Sequence, residues 1–211
     1  EGSTQIDHVI VSVYGVFVIA GSVVGLAAVF DLGVGITTVR NIAAQVERVR
    51  RGEDSAELSE TVGAAVALYG AMGIVVALVL GGLGAYAQQV FAVDATQAEL
   101  LRLMLWVYAG AQLLVWPANV GRLVLGGLQR YDWQMWVTIG QTVANAAAII
   151  AVLSLNQGPL VLTALYAFSS LAAGGAVVML ARKAMPHGSL PRTAAIARTD
   201  LDKLRPAGGI G

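Results

Sequence analysis

An all-α, polytopic transmembrane helix bundle of five spans is the fold class this sequence predicts, and three observations carry the prediction. Hydrophobic residues fill 57% of the 211 positions and charged residues only 12%, whereas soluble domains carry roughly a quarter charged residues. Five apolar runs each approach the ~20 residues that a helix needs to cross a bilayer core. The cations fall on one side: of 13 Lys and Arg residues, all but Arg102 lie in segments that alternate with acidic or neutral connectors, which is the positive-inside pattern.

The predicted spans are residues 9–30, 61–86, 103–121, 133–155 and 160–181. Between the first two lie Arg40, Arg48, Arg50 and Arg51; between the third and fourth lie Arg122 and Arg130; after the fifth come Arg182, Lys183, Arg192, Arg198, Lys203 and Arg205. These three segments are predicted to be cytoplasmic. Connectors 87–99 and 156–159 carry Asp94 and Glu99 but no cation, so they and the N-terminal end belong outside. The first run is preceded by Glu1 and Asp7 and has no small-residue cleavage pattern, which is not the pattern of a signal peptide. Residues 1–185 thus form the bundle and 186–211 a cytoplasmic linker rich in Pro, Gly and polar residues. The odd number of spans, the missing initiator methionine and the Gly-Gly-Ile-Gly tail predict a piece of something larger.

Within 40–51, Ile42, Val46 and Val49 share one helical face and Glu47 stands one turn before Arg51, predicting an interfacial helix. Its basic flank either touches anionic lipid or is a solvated face that sets topology. Asp54 and Glu57 have the spacing of a capping box at the start of the next helix. Gly21 and Gly25 form a Gly-xxx-Gly pair, and Gly70, Gly73, Gly81, Gly82 and Gly84 punctuate the second span; small residues let helices approach closely in lipid. Pro117, in mid-span, removes a helix hydrogen bond and predicts a kink, serving either packing or a hinge.

Polar residues inside the spans recur on single faces. Gln134, Thr138, Gln141 and Asn145 follow one another at helical spacing in the fourth span; Tyr108, Gln112 and Asn119 do so in the third, and Thr163, Tyr166 and Ser170 in the fifth. Amides do not face lipid cheaply. The stripes therefore line a shared wet cavity or bond neighbouring helices. Asp31, beside the cytoplasmic boundary, is a coupling candidate or an exposed anchor. Arg102 stands three residues from Glu99, in reach of an ion pair.

Several classes of chemistry find no support. Zero net charge gives no footprint for nucleic acid, and the absence of Cys removes disulfides, thiol chemistry and Cys-based metal sites. His8 and His187 belong to opposite membrane faces, so they build no metal centre, and neither a catalytic triad nor a phosphate loop is present. No enzyme activity and no cofactor is expected.

Four segments carry a resemblance. Tyr14-Gly15-Val16-Phe17, the run Asp31-Leu32-Gly33-Val34-Gly35 with Thr38, Arg40 and Ala43, the segment Gly127-Leu128-Gln129-Arg130-Tyr131-Asp132, and the tail 201–211 resemble, in order, segments of one family. It is that of the polysaccharide and oligosaccharide flippases in the multidrug/oligosaccharidyl-lipid/polysaccharide exporter superfamily. The resemblance implies helices two to six of a twelve to fourteen helix carrier of the cytoplasmic membrane, with the first helix and second lobe elsewhere in the full-length chain. It implies alternating access around a hydrophilic cavity that holds the sugar-diphosphate head of a lipid-linked oligosaccharide, whose tail stays in membrane lipid. Gln112, Asn119, Gln134, Gln141 and Asn145 would then face substrate, with Asp31 and Pro117 as coupling or gating residues. Such carriers often place cations deep in the cavity, and this chain has none there; Arg40, Arg122 and Arg130, at the cytoplasmic mouth, are the remaining candidates for the diphosphate. An organic-cation extruder of the same superfamily would use Asp31, Trp106, Tyr108 and Trp116 instead. A membrane-embedded polysaccharide polymerase or ligase would need large outer loops with Arg or His, which the short connectors lack, and a non-transporting scaffold would require a complete gene product.

Overall fold

The computed structural model describes residues 15, 18, 20–22, 25, 33–91 and 93–185. Most of the first predicted span lies outside them, as do Asp31, both histidines and the segment 186–211. Among the described residues no strand occurs, and four helices are long and apolar enough to cross a membrane. The protein is an all-α, multi-pass membrane helix bundle.

Helix α1 (Val34–Arg50) follows Gly33, whose φ of 83° is a left-handed conformation natural to glycine. It begins before the predicted segment because the Thr37 and Thr38 hydroxyls fold back onto the Val34 carbonyl, at 2.9 and 2.8 Å, and do not oppose the helix. Ile42 and Val46 are buried as the amphipathic pattern requires. Glu47 accepts from Arg51 at 3.3 Å, and Gly52, at φ 91°, turns the chain into α2 (Ala56–Ala85). The Asp54 carboxylate accepts the Ala56 amide at 3.1 Å. Glu57 does not complete a capping box: its carboxylate pairs with Arg48 of α1 at 3.0 Å, an arrangement that ties the two helices together.

Connector 87–99 contains the short helix α3 (Ala87–Phe91) and the first turn of α4 (Ala95–Ala118). The Asp94 carbonyl receives the Ala98 amide at 2.8 Å. The span outruns its apolar run because a helix continues through its polar first turn, where hydropathy no longer marks it. Pro117 does not break α4 in mid-span. The helix passes through it and is interrupted at Asn119, whose amide is shared between the Val115 and Trp116 carbonyls at 3.0 Å. It then resumes as α5 (Val120–Gly127). Arg102 pairs with Glu99 at 3.2 Å. Helices α6 (Tyr131–Ser154) and α7 (Pro159–Ala184) close the described chain, α7 opening on a proline whose missing amide costs nothing there.

The long helices stand side by side: α2 lies on α4, α4 on α7, and α7 on α6. At the arginine-rich end, α5 packs against α1, α6 and α7. Glycines permit the closest of these approaches. A Cβ on Gly73 would lie 2.9 Å from Trp116 Cβ, and one on Gly121 3.0 Å from Val177. Gly70, Gly81, Gly82, Gly21 and Gly25, which share the sequence pattern, have nothing within 4 Å of such an atom among the described residues. Trp116 also meets Tyr69 of α2, ring centroids 5.9 Å apart. Ala20, from the first predicted span, is buried in the core with Leu101, Met104, Leu105 and Leu125. Helix α6 buries least, with Val152 as its fully buried residue.

Candidate functional site

The polar stripe of α6 occupies the face that packs against its neighbours. The Gln134 side-chain amide donates to the Arg122 carbonyl at 2.7 Å, and the Arg122 guanidinium donates to the Thr138 hydroxyl at 3.3 Å. Further along, Gln141 donates to the Ser170 hydroxyl of α7 at 3.2 Å. Asn145 accepts from Ser169 at 2.5 Å. Val137 packs against the core, while Ala144 is exposed. One side of α6 thus spends its polar groups on α5 and α7, and the other side presents Met135, Trp136, Ile139, Val143, Ile150 and Leu153 outward.

Tyr108 of α4 lies beside Thr163 and Tyr166 of α7. Thr163 is fully buried and satisfies its hydroxyl on the Pro159 carbonyl at 2.9 Å. Part of each predicted stripe thus meets α7: Tyr108 from α4, and Gln141 and Asn145 from α6, while Gln134 and Thr138 turn to Arg122 of α5. These are helix-to-helix contacts, the usual way polar side chains are accommodated in lipid. Gln112 on α4 and Asn119 just after it, both half-buried, have no side-chain hydrogen-bond partner among the described residues.

The three arginines assigned to the cytoplasmic mouth have different surroundings. Arg40 is exposed on the face of α1 opposite Ile42 and Val46. Arg130 is exposed, with its guanidinium 5.3 Å from the ring centroid of Trp133. Arg122 is half-buried at the junction of α5 and α6, farther from the helix ends than its sequence neighbourhood suggested. Pro117 is half-buried one turn before the α5 segment, and Asp31 lies outside the described residues.

Two participants escaped the sequence reading. Ser169 carries the bond to Asn145, yet it sits about 100° around the helix from its neighbour Ser170, off the stripe as drawn. A pair of adjacent serines opposite an amide stripe was the available signal. The Arg130–Trp133 stacking was within reach too, from the i,i+3 spacing of a cation and an aromatic ring.

No protein-family model, curated protein or solved structure matches this chain.

Proposed function

We propose that this chain is part of one lobe of a carrier that moves a lipid-linked oligosaccharide or polysaccharide repeat unit across the cytoplasmic membrane by alternating access, without covalent catalysis. The observation that carries the reading is the set of neutral amides and hydroxyls inside a multi-span bundle, of which Tyr108, Gln141 and Asn145 meet α7 and Gln112 and Asn119 stand half-buried nearby in the chain. Residues 61–85, 103–121, 133–154 and 159–181 contain no charged side chain. A sugar leaving water must replace its hydrogen bonds one for one, and Gln, Asn, Ser, Thr and Tyr supply both donors and acceptors for its hydroxyls. Gln112 and Asn119 keep that capacity uncommitted among the described residues. Contacts such as Gln141–Ser170 would be exchanged for sugar contacts as the helices rock. Arg40, Arg122 and Arg130 supply positive charge at the side from which a diphosphate head group would enter. The ordered resemblances in sequence point the same way.

The test is export of surface polysaccharide from cells that carry variants at the gene's own locus, with the amount of protein in the membrane held equal. Gln112→Leu and Asn119→Leu should each lower export, and Arg40→Gln with Arg130→Gln should lower it further. Undiminished export in all of them refutes the carrier reading, and loss of organic-cation efflux in its place would make the chain a drug extruder.

A further inference from the structure

Arg122 differs from the other described cations. Arg48, Arg50, Arg51 and Arg102 each have a carboxylate within 4.0 Å, Arg130 is exposed and has the Trp133 ring, and Arg40, Arg182 and Lys183 are exposed. Arg122 is half-buried and has no such carboxylate among the described residues. The Thr138 hydroxyl donates to the Gln134 carbonyl at 2.9 Å, which turns an oxygen lone pair toward the Arg122 guanidinium. Gln134 in turn grips the Arg122 backbone carbonyl. The guanidinium is thus held at a fixed place with one N–H used and the others available.

That place has a definite depth. Arg122 precedes the end of α5 at Gly127 by about 8 Å of helical rise, and Thr138 follows the start of α6 at Tyr131 by about 10 Å. With the ends of α5 and α6 taken at the aqueous edge of a headgroup layer roughly 5–8 Å thick, the guanidinium falls at the border between headgroups and hydrocarbon. Tyr131 and Trp136, 60% and 68% exposed on the same end of α6, are aromatic residues of the kind that mark this border. Thr138 is itself exposed, so the node is open on one side. A cation at this depth without a counter-charge is costly, and the anion that the surroundings offer there is a lipid phosphate.

We propose that Arg122, positioned by Thr138 and Gln134, binds the phosphate of an anionic phospholipid in the leaflet on the arginine-rich side. The fork geometry of guanidinium suits two oxygens of one phosphate. The site stands whether or not the chain is a carrier, because it is read by binding and not by transport.

Detergent-purified protein is titrated with phosphatidylglycerol, phosphatidylcholine or inorganic diphosphate, following the thermal midpoint and, by native mass spectrometry, the lipid retained. Phosphatidylglycerol should raise the midpoint and be retained, and the other two should not. Arg122→Gln should weaken that binding by about 10- to 100-fold, the range of one charge-assisted hydrogen bond. Arg122→Lys should restore part of it. Thr138→Val, which keeps the charge and loses its positioning hydroxyl, should weaken binding several-fold and serves as the reading should the Gln variant not fold. Equal retention of phosphatidylglycerol by wild type, Arg122→Gln and Thr138→Val overturns the proposal. Displacement of the lipid by inorganic diphosphate overturns it in favour of a soluble phosphate ligand. A loss of folded protein in Asp31→Asn that Arg122→Gln does not deepen overturns it in favour of an internal ion pair.

Discussion

Replacing Gly127 with alanine tests the crossing of α1 over α5, on which the arginine-rich end of the bundle depends. The added Cβ would lie 2.5 Å from Ile42 Cγ2, 2.9 Å from Ile42 Cβ and 3.2 Å from the Ala43 amide nitrogen. A methyl terminus swings aside, but a branch carbon and a backbone atom do not, so the helices must separate. Overpacking of this kind costs about 1–3 kcal/mol, and the two rigid contacts place it near the top of that range. Alanine in a helix recovers roughly 0.5–1 kcal/mol relative to glycine, which leaves a net loss of about 2 kcal/mol. At about 2–4 °C per kcal/mol for a chain of this size, the thermal midpoint falls by about 4–8 °C. Gly140→Ala is the counterpart: it is helical, and nothing lies within 4 Å of its added Cβ, so only the helix term applies and the midpoint rises by about 1–4 °C. The assay is thermal unfolding of the purified protein, followed by tryptophan fluorescence and by retention on size exclusion. Opposite signs for the two substitutions are expected. A Gly127→Ala protein as stable as the parent would falsify the described approach of α1 to α5.

Three further outcomes follow from the same geometry. The chain has no native cysteine, so single cysteines report topology cleanly: those at Ser55 and Gln129 should resist a membrane-impermeant thiol reagent in intact cells while those at Ala95 and Gln157 react, and labelling at Ser55 would reverse the orientation. Gln141→Leu should cost only about 0.6 kcal/mol of stability, the average for a hydrogen bond between membrane helices, and adding Ser170→Ala should cost little more; strictly additive losses in a double-mutant cycle would show that the two side chains do not interact. The Arg48–Glu57 pair joins α1 to α2, but its side chains are 56% and 67% exposed. Its coupling energy should therefore be about 0.2–1 kcal/mol and should fade with added salt; a salt-independent coupling of several kcal/mol would mean the pair is not solvated as described.

Burial explains which residues the substitutions can reach. α4 meets α2 at Gly73 and the large ring of Trp116 and meets α7 at Gly174, and α5 meets α7 at Gly121, so changes there propagate between spans. Among the described residues helix α6 packs chiefly on α7 and the short α5, and its outward face of Met135, Trp136, Val143, Ile150 and Leu153 should accept apolar substitutions with small effect.

The existence and order of the helices at 56–85, 95–127, 131–154 and 159–184 were legible in the sequence because transfer into lipid is nearly a sum over residues, and a running sum needs no partner. Short-range pairs were legible for a similar reason: Glu47 with Arg51 and Glu99 with Arg102 follow from helical spacing alone. Helix ends were less so, since the first turn of α4 and the entry to α1 are helical without being apolar. What only the tertiary structure decided is who faces whom. Glu57 satisfied its carboxylate on Arg48 of another helix, at a cost in capping that no local pattern reveals. Six glycines of α2 look alike in sequence, yet among the described residues only Gly73 and Gly84 meet a neighbour closely. The stripe of Gln134, Thr138, Gln141 and Asn145 identified a face but not its partner, because periodicity gives direction about a helix axis and says nothing of which helix stands in that direction. That α7 occupies it, offering Ser169 and Ser170, and that α5 brings Arg122 within reach of Thr138, are consequences of packing between segments distant in the chain.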